Sequence, residues 1–129
     1  MKIEIENSNL VRVINFLDGL LVKGLKGIHR TNLSQKLQDK LKAVVVNEKQ
    51  LKDEMKDEPE QLKEELEKFY KERVVIDSGD SQTMLRSVKS VIKELVAEDS
   101  EHEFKDNDAY ALACLYEAFQ IDEETKEGE

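Results

Sequence analysis

The sequence predicts a small α+β fold that is mostly α, with about five helices, a long helical hairpin and a small two-stranded β piece. Apolar residues recur at helical spacing over most of the 129 residues, whereas strand-like alternation is confined to two short segments. One proline and five glycines leave few helix breakers. The length suits a single helix-rich domain, placed at residues 1–121, with an acidic tail at 122–129 that is expected to fray.

The first elements are predicted from two different periods. Lys2–Glu6 alternates charged and apolar side chains, which is typical of a strand with one buried face. A first helix is then expected from about Ser8 to Leu21, because apolar residues follow at spacings of three and four. Its stripe consists of Leu10, Val13, Ile14, Leu17 and Leu21. Because glycines interrupt the pattern that follows, residues 21–30 are predicted to be a loop or a frayed helix end.

The next two helices are expected to form the hairpin. Thr31 and Asn32 predict the start of a helix that runs without Gly or Pro to about Met55. Pro59 then marks a boundary and suits the first turn of a third helix, with Asp57 as a cap and Glu60 completing a capping box.

The last third of the chain contains a strand and two helices. Val74–Asp77 is β-branched and precedes a turn-rich segment at 77–81, so it predicts a strand that pairs with Lys2–Glu6. A fourth helix carries the apolar stripe Met84, Leu85, Val88, Val91, Ile92, Leu95 and Val96. A fifth, capped by Asp106 or Asn107, is expected to bury the face Ala109, Leu112, Ala113, Tyr116 and Phe119.

Several classes of function are not favoured by the composition. The sequence has no run of about 18 apolar residues, so no membrane span is expected. Its charged start lacks the apolar core of a signal peptide, so secretion is not expected. His29 and His102 lie far apart and Cys114 is the only cysteine, so no zinc or other metal site is expected. Cys114 is interpreted as a buried small hydrophobe. With no catalytic constellation visible, the sequence predicts neither an enzyme nor a cofactor.

Charge is divided unevenly along the chain, whose net charge is −9. Residues 1–47 carry a net +4 and residues 48–129 a net −13. Two candidate binding surfaces follow from this division. The first is a basic turn with Lys23, Lys26, His29 and Arg30 around Gly24 and Gly27, a weak pattern for holding phosphate. The second is an acidic helix face with Glu58, Glu64 and Glu65, which also fits ordinary helix-stabilising Glu–Lys pairing.

A family resemblance covers nearly the whole chain. The opening MKIEIENSNL with Ile14–Leu17, then Glu72–Ile76, Met84–Val91 and the terminal LYEAF resemble domain-of-unknown-function family 1617, a family of short phage and prophage proteins of Gram-positive bacteria. The turn Gly24–Gly27 departs from that family. The resemblance implies a phage origin and assigns no chemistry, so no functional residues carry over.

The expected function is that of a small acidic phage protein that binds another macromolecule in the host cytoplasm. Its sharpest form is inhibition of a host or anti-phage defence protein by mimicry of nucleic-acid charge. One alternative is a virion or tail-assembly accessory protein whose hairpin self-associates into a homo-oligomer. Another is a nucleic-acid binder that uses the basic turn 23–30. A protein partner is expected, without a membrane.

Overall fold

The computed structural model describes residues 1–77, 82–97 and 103–121, and its elements confirm the predicted mostly α, α+β class. The strands are β1 (Lys2–Glu6) and β2 (Arg73–Asp77). The helices are α1 (Leu10–Gly19), α2 (Gly24–Glu54), α3 (Pro59–Lys71), α4 (Gln82–Val96) and α5 (Asp106–Ala118), and a single 3₁₀ turn at Asn7–Asn9 precedes α1. The predicted turn at 78–81, His102 and the predicted tail at 122–129 lie outside the described residues.

The two strands pair antiparallel, as predicted. Ile3 lies opposite Ile76 and Ile5 opposite Val74, so the inner face of the sheet is aliphatic. On the outer face Arg73 lies opposite Glu6, and its Nη1 atom is 3.8 Å from Glu4 Oε2, a cross-strand pair of opposite charges. Because about 70 residues separate the strands, their pairing draws the two ends of the α1–α3 segment together.

The hydrophobic core is formed mainly where α1 and α4 pack on the first half of α2 and where α5 covers α1. Its fully buried helical residues are Leu10, Val13, Leu17, Leu33, Leu37, Leu85, Val88, Ile92, Ala111 and Leu115. The predicted stripe of α4 is confirmed at Val88, Val91 and Ile92, which are buried, while Leu95 is half-buried against the core.

Beyond Val44, α2 leaves the core, and α3 pairs with α2 as the predicted hairpin. The buried residues of α2 end at Leu37, and α3 contains no fully buried residue. Leu41 and Val44 are still half-buried against the core, so the ten residues from 45 to 54 extend roughly 15 Å beyond it at the rise of an α-helix. At the returning end, the Asn7 side chain donates to the Phe69 carbonyl oxygen at 2.9 Å, which fastens α3 to the start of α1.

The prediction of a loop or frayed helix end holds for residues 21–23 but is wrong for residues 24–30, because α2 begins at Gly24 and not at Thr31. Gly24 has φ +69°, which glycine adopts without strain. Gly27 is buried, and a Cβ there would lie 2.5 Å from the Val22 carbonyl oxygen, so the chain passes too close for any side chain. The glycines therefore let a helix start against the preceding connection. Leu21 lies in that connection, fully exposed, and not in the stripe of α1.

The predicted face and caps also need correction. In α5 the buried residues are Ala111 and Leu115, followed by Phe119, whereas Ala109 and Ala113 are exposed. Lys105 occupies the N-cap of α5, and the N-cap of α3 is Glu58, neither with a side-chain capping hydrogen bond.

Replacing Val88 with Asp is expected to lower the free energy of unfolding by about 4 kcal/mol or more, because an unpaired carboxylate would enter a fully buried position. The matched control is Val46→Asp, since Val46 is 63% exposed on α2 and its change is expected to cost less than about 1 kcal/mol. Urea unfolding followed by circular dichroism measures both. Equal stability of the two variants would contradict the described core.

Candidate functional site

The basic turn proves to be the first two turns of α2, and two of its cations are engaged within the molecule. Lys26 Nζ lies 2.9 Å from Glu94 Oε1 of α4. Arg30 Nη1 donates to the carbonyl oxygens of Leu17 at 3.1 Å and Asp18 at 3.3 Å. These carbonyls end α1, where a cation is favoured by the helix dipole. Lys26 and Arg30 therefore join α2 to its neighbours.

The remaining two members of the basic turn differ in exposure. Lys23 is the exposed N-cap residue of α2, whereas His29 is half-buried. Within the described part of the chain, His29 Nδ1 and Arg30 Nε are buried without a hydrogen-bond partner. Gly24 and Gly27 belong to the helix itself, so they do not form a separate phosphate-holding loop. The four predicted residues thus do not act as one open cationic surface.

The acidic residues of the hairpin lie on its far end. Residues 53–67, named here the acidic tip, contain eight Asp or Glu and two Lys, a net charge of −6. Glu58, Glu64 and Glu65 are all exposed. Lys68 lies 3.8 Å from Glu65, but in the described ranges neither Glu58 nor Glu64 forms a salt bridge. The carboxylates of the tip are therefore largely available to a partner.

An apolar groove runs along α3 and overlaps the acidic tip. Its volume is about 350 Å³, and it is lined by Pro59, Leu62, Lys63, Leu66, Glu67 and Tyr70. Leu62, Leu66 and Tyr70 are half-buried. A hydrogen bond to the Glu48 carboxylate raises the pKa of the Tyr70 hydroxyl, which ties this end of α3 to α2. The α3 groove is thus an aliphatic surface with a charged rim.

Sequence reasoning missed an exposed aliphatic cluster at the start of α2. Leu21 is 101% exposed, Leu25 71% and Ile28 56%. Together with Lys23 they form what we call the aliphatic corner. Residues 19–38 contain four Lys or Arg and no Asp or Glu, so the corner lies in a basic part of the chain. The signal was the spacing of Leu21, Leu25 and Ile28, which becomes informative once residues 24–30 are known to be helical.

Few of the described side chains are of a kind and arrangement that could catalyse a reaction or hold a metal. Burial is the main cause that raises the pKa of the Cys114 thiol, and the carboxylates of Glu117 and Glu6 add to it. A cleft of about 260 Å³ beside this thiol is lined mainly by charged residues, including Glu4, Lys2 and Arg73. Within residues 1–77, 82–97 and 103–121, no three His, Cys, Asp or Glu side chains are grouped closely enough to hold a metal ion. None of the described helices is both long and apolar enough to cross a membrane.

Comparisons of the chain with protein-family models, with curated proteins and with solved structures found no match in any of the three. The resemblance to the phage family therefore stays a prediction. The surfaces of the chain carry the functional argument that follows.

Arg30→Met is expected to lower the free energy of unfolding by about 1–3 kcal/mol, because it removes charge-assisted hydrogen bonds to the end of α1. Lys23→Met serves as the control, since it removes an exposed cation at the N-cap of the same helix. Thermal unfolding of both variants measures the difference. If the two variants were equally stable, the structural role of Arg30 would be refuted.

Cys114 is expected to react slowly with a thiol reagent near neutral pH, because its raised pKa keeps the thiol protonated. Unfolding in urea should speed the reaction by restoring an ordinary pKa and full access. Raising the pH should accelerate the reaction of the folded protein's thiol only at pH values above the ordinary titration range of cysteine. The measurement is absorbance during reaction with an aromatic disulfide; a folded thiol as fast as the unfolded one contradicts the described burial.

Proposed function

We propose that this chain is a small phage-encoded protein that binds a basic site on a host protein through the acidic tip of its hairpin. The supporting observation is the accumulation of eight carboxylates and two lysines over residues 53–67 at the end of an extension from the core. Such a surface attracts cationic partners and speeds their encounter. A nucleic-acid-binding site is the class of target that this charge fits, and its occupation would inhibit the target.

The geometry of the hairpin favours this function over nucleic-acid binding by the basic turn. A binder of nucleic acid needs cations that can contact phosphates. Lys26 is already paired with Glu94, and Arg30 is bonded to carbonyl oxygens of α1. Glu58 and Glu64, by contrast, have no salt bridge in the part of the chain that the structure describes. The available charge on the molecule is therefore negative at the tip.

The reach of the hairpin also supports the proposal. Because α2 continues for ten residues, roughly 15 Å, past Val44, the last of its residues that packs against the core, a partner can contact the far end of the tip without meeting the core. Salt screens exposed charges over about 8 Å at physiological ionic strength. A complex formed by the tip should therefore associate quickly and weaken as salt rises.

Reversal of Glu58, Glu64 and Glu65 to Lys is expected to abolish capture of basic nucleic-acid-binding proteins from a Gram-positive bacterial lysate. The control reverses Asp39, Glu103 and Glu117, three exposed acids elsewhere, and gives the same net charge of −3. Captured proteins are quantified by mass spectrometry, and excess duplex DNA should displace them.

Three results would contradict the proposal. The tip variant and the control could capture the same proteins, which would make the tip irrelevant. DNA could fail to compete, which would exclude occupation of a nucleic-acid site. The unmodified protein could itself shift a DNA or RNA probe, with the shift lost on Lys23→Glu, which would favour the basic turn.

A further inference from the structure

We propose that the aliphatic corner of one copy of this chain docks into the α3 groove of a second copy. The proposal rests on two apolar surfaces in regions of opposite charge. The corner presents Leu21, Leu25 and Ile28 to solvent. The groove is a shallow, open surface of α3 that presents the half-buried Leu62, Leu66 and Tyr70, with Lys63 and Glu67 at its rim.

The exposure of the corner is unusual for a structural role. Scattered apolar residues are normal on a protein surface, but a cluster of them marks a contact site. Leu25 and Ile28 are one helical turn apart on α2 and so project from the same side of the helix. Leu21, in the connection just before this turn, has no part in the core. These three exposed side chains, neighbours in sequence at the start of α2, are called the knob below.

Charge favours the pairing of these two surfaces over the pairing of like surfaces. Lys23 is exposed beside the knob, and no carboxylate occurs in residues 19–38. The groove lies within and beside the acidic tip, whose net charge is −6. Two corners or two tips in contact would repel each other, whereas a corner on a groove brings opposite charges together.

A single molecule cannot satisfy both surfaces. The corner is at the first residues of α2, and the groove lies beside its last residues. The 31 residues of α2 span roughly 45 Å, so the two surfaces are held apart by a rigid helix. The contact is therefore intermolecular and joins different patches of the two copies. Because the knob has only three aliphatic side chains, far fewer than a standard interface, the association is expected to be weak.

Sedimentation of the full chain over a hundredfold range of concentration tests the proposal. The average mass is expected to rise above that of the monomer at high concentration. Leu25→Asp should weaken this association about tenfold or more, because it replaces an exposed leucine of the knob with a charge that the acidic tip around the groove repels. The variant should fold, since an acidic residue is favoured in the first turn of a helix.

The matched control is Val11→Asp. Val11 is the second residue of α1, as Leu25 is of α2, and it is 54% exposed. Its replacement should leave the association unchanged. Glu67→Lys at the groove rim should weaken association severalfold, while Glu117→Lys on α5 should not. The double change Lys23→Glu with Glu67→Lys should restore association, because it exchanges the charges across the contact.

A mixing experiment separates this contact from others. The Leu25→Asp chain keeps an intact groove, and the Glu67→Lys chain keeps an intact corner. Mixed one to one, they should form a complex that neither forms alone. A wild-type chain that stays monomeric, an equal effect of Val11→Asp and Leu25→Asp, or a mixture no heavier than its components would each overturn the proposal.

The proposed function does not depend on this contact. Leu25→Asp leaves Glu58, Glu64 and Glu65 in place, so it should still capture the basic partner. Self-association without capture of a basic partner would contradict the proposed function and support the contact. Capture without self-association would support the proposed function and contradict the contact.

Discussion

Burial of Leu33 and Leu37 is the interaction on which the arrangement of the molecule depends. Both side chains are fully buried on the first half of α2, where α1 and α4 pack against it. This contact fixes the axis of a helix of 31 residues. Since an α-helix is rigid over that length, its last third is carried beyond the core, past the half-buried Leu41 and Val44. The extension needs an apolar partner, which α3 supplies, and the hairpin is the consequence.

The sequence predicted an element correctly where its apolar residues follow a single period, that of a strand or that of a helix. Lys2–Glu6 alternates strictly, and α4 has apolar residues at every position that a helical stripe requires, so both were predicted correctly. Pro59 marked the start of α3 by its missing N–H. Residues 109–116 are mostly apolar on all sides of a helix, so their period could not indicate which side of α5 is buried. Packing against α1 selected Ala111 and Leu115.

For the candidate surfaces, the sequence could predict which segments are charged but not which of their charged side chains are available to a partner. The segment 23–30 is basic in the sequence, but whether its cations are available depends on groups far along the chain. Lys26 meets Glu94, 68 residues away, and Arg30 meets the Leu17 carbonyl oxygen, 13 residues away. No local pattern encodes these contacts. The glycines led to a wrong prediction for the same reason. In the sequence Gly27 indicates a loop, whereas in the structure it lies in a helix at a point where a Cβ would be 2.5 Å from the Val22 carbonyl oxygen.

The helix dipole separates the acidic residues that stabilise the hairpin from those that do not. Glu58 and Glu60 lie at the start of α3, where a negative charge is favoured by about 0.3–1 kcal/mol. Asp53 and Glu54 lie at the end of α2, where the same charge is unfavourable. Glu64 and Glu65 lie in the middle of α3, beyond the reach of either effect, and exposed pairs such as Glu65–Lys68 contribute little.

Helix stability therefore accounts for Glu58 but not for Glu64 or Glu65. At the other end of α2, Lys26 stands where the dipole disfavours a cation, yet Glu94 at 2.9 Å compensates for it. Glu64 has no such compensation within the residues described, whereas Glu65 lies 3.8 Å from Lys68. A charge without a stabilising contact in its own fold is one whose placement a partner would explain, so Glu64 supports the proposed binding surface more strongly than Glu58 or the paired Glu65 does.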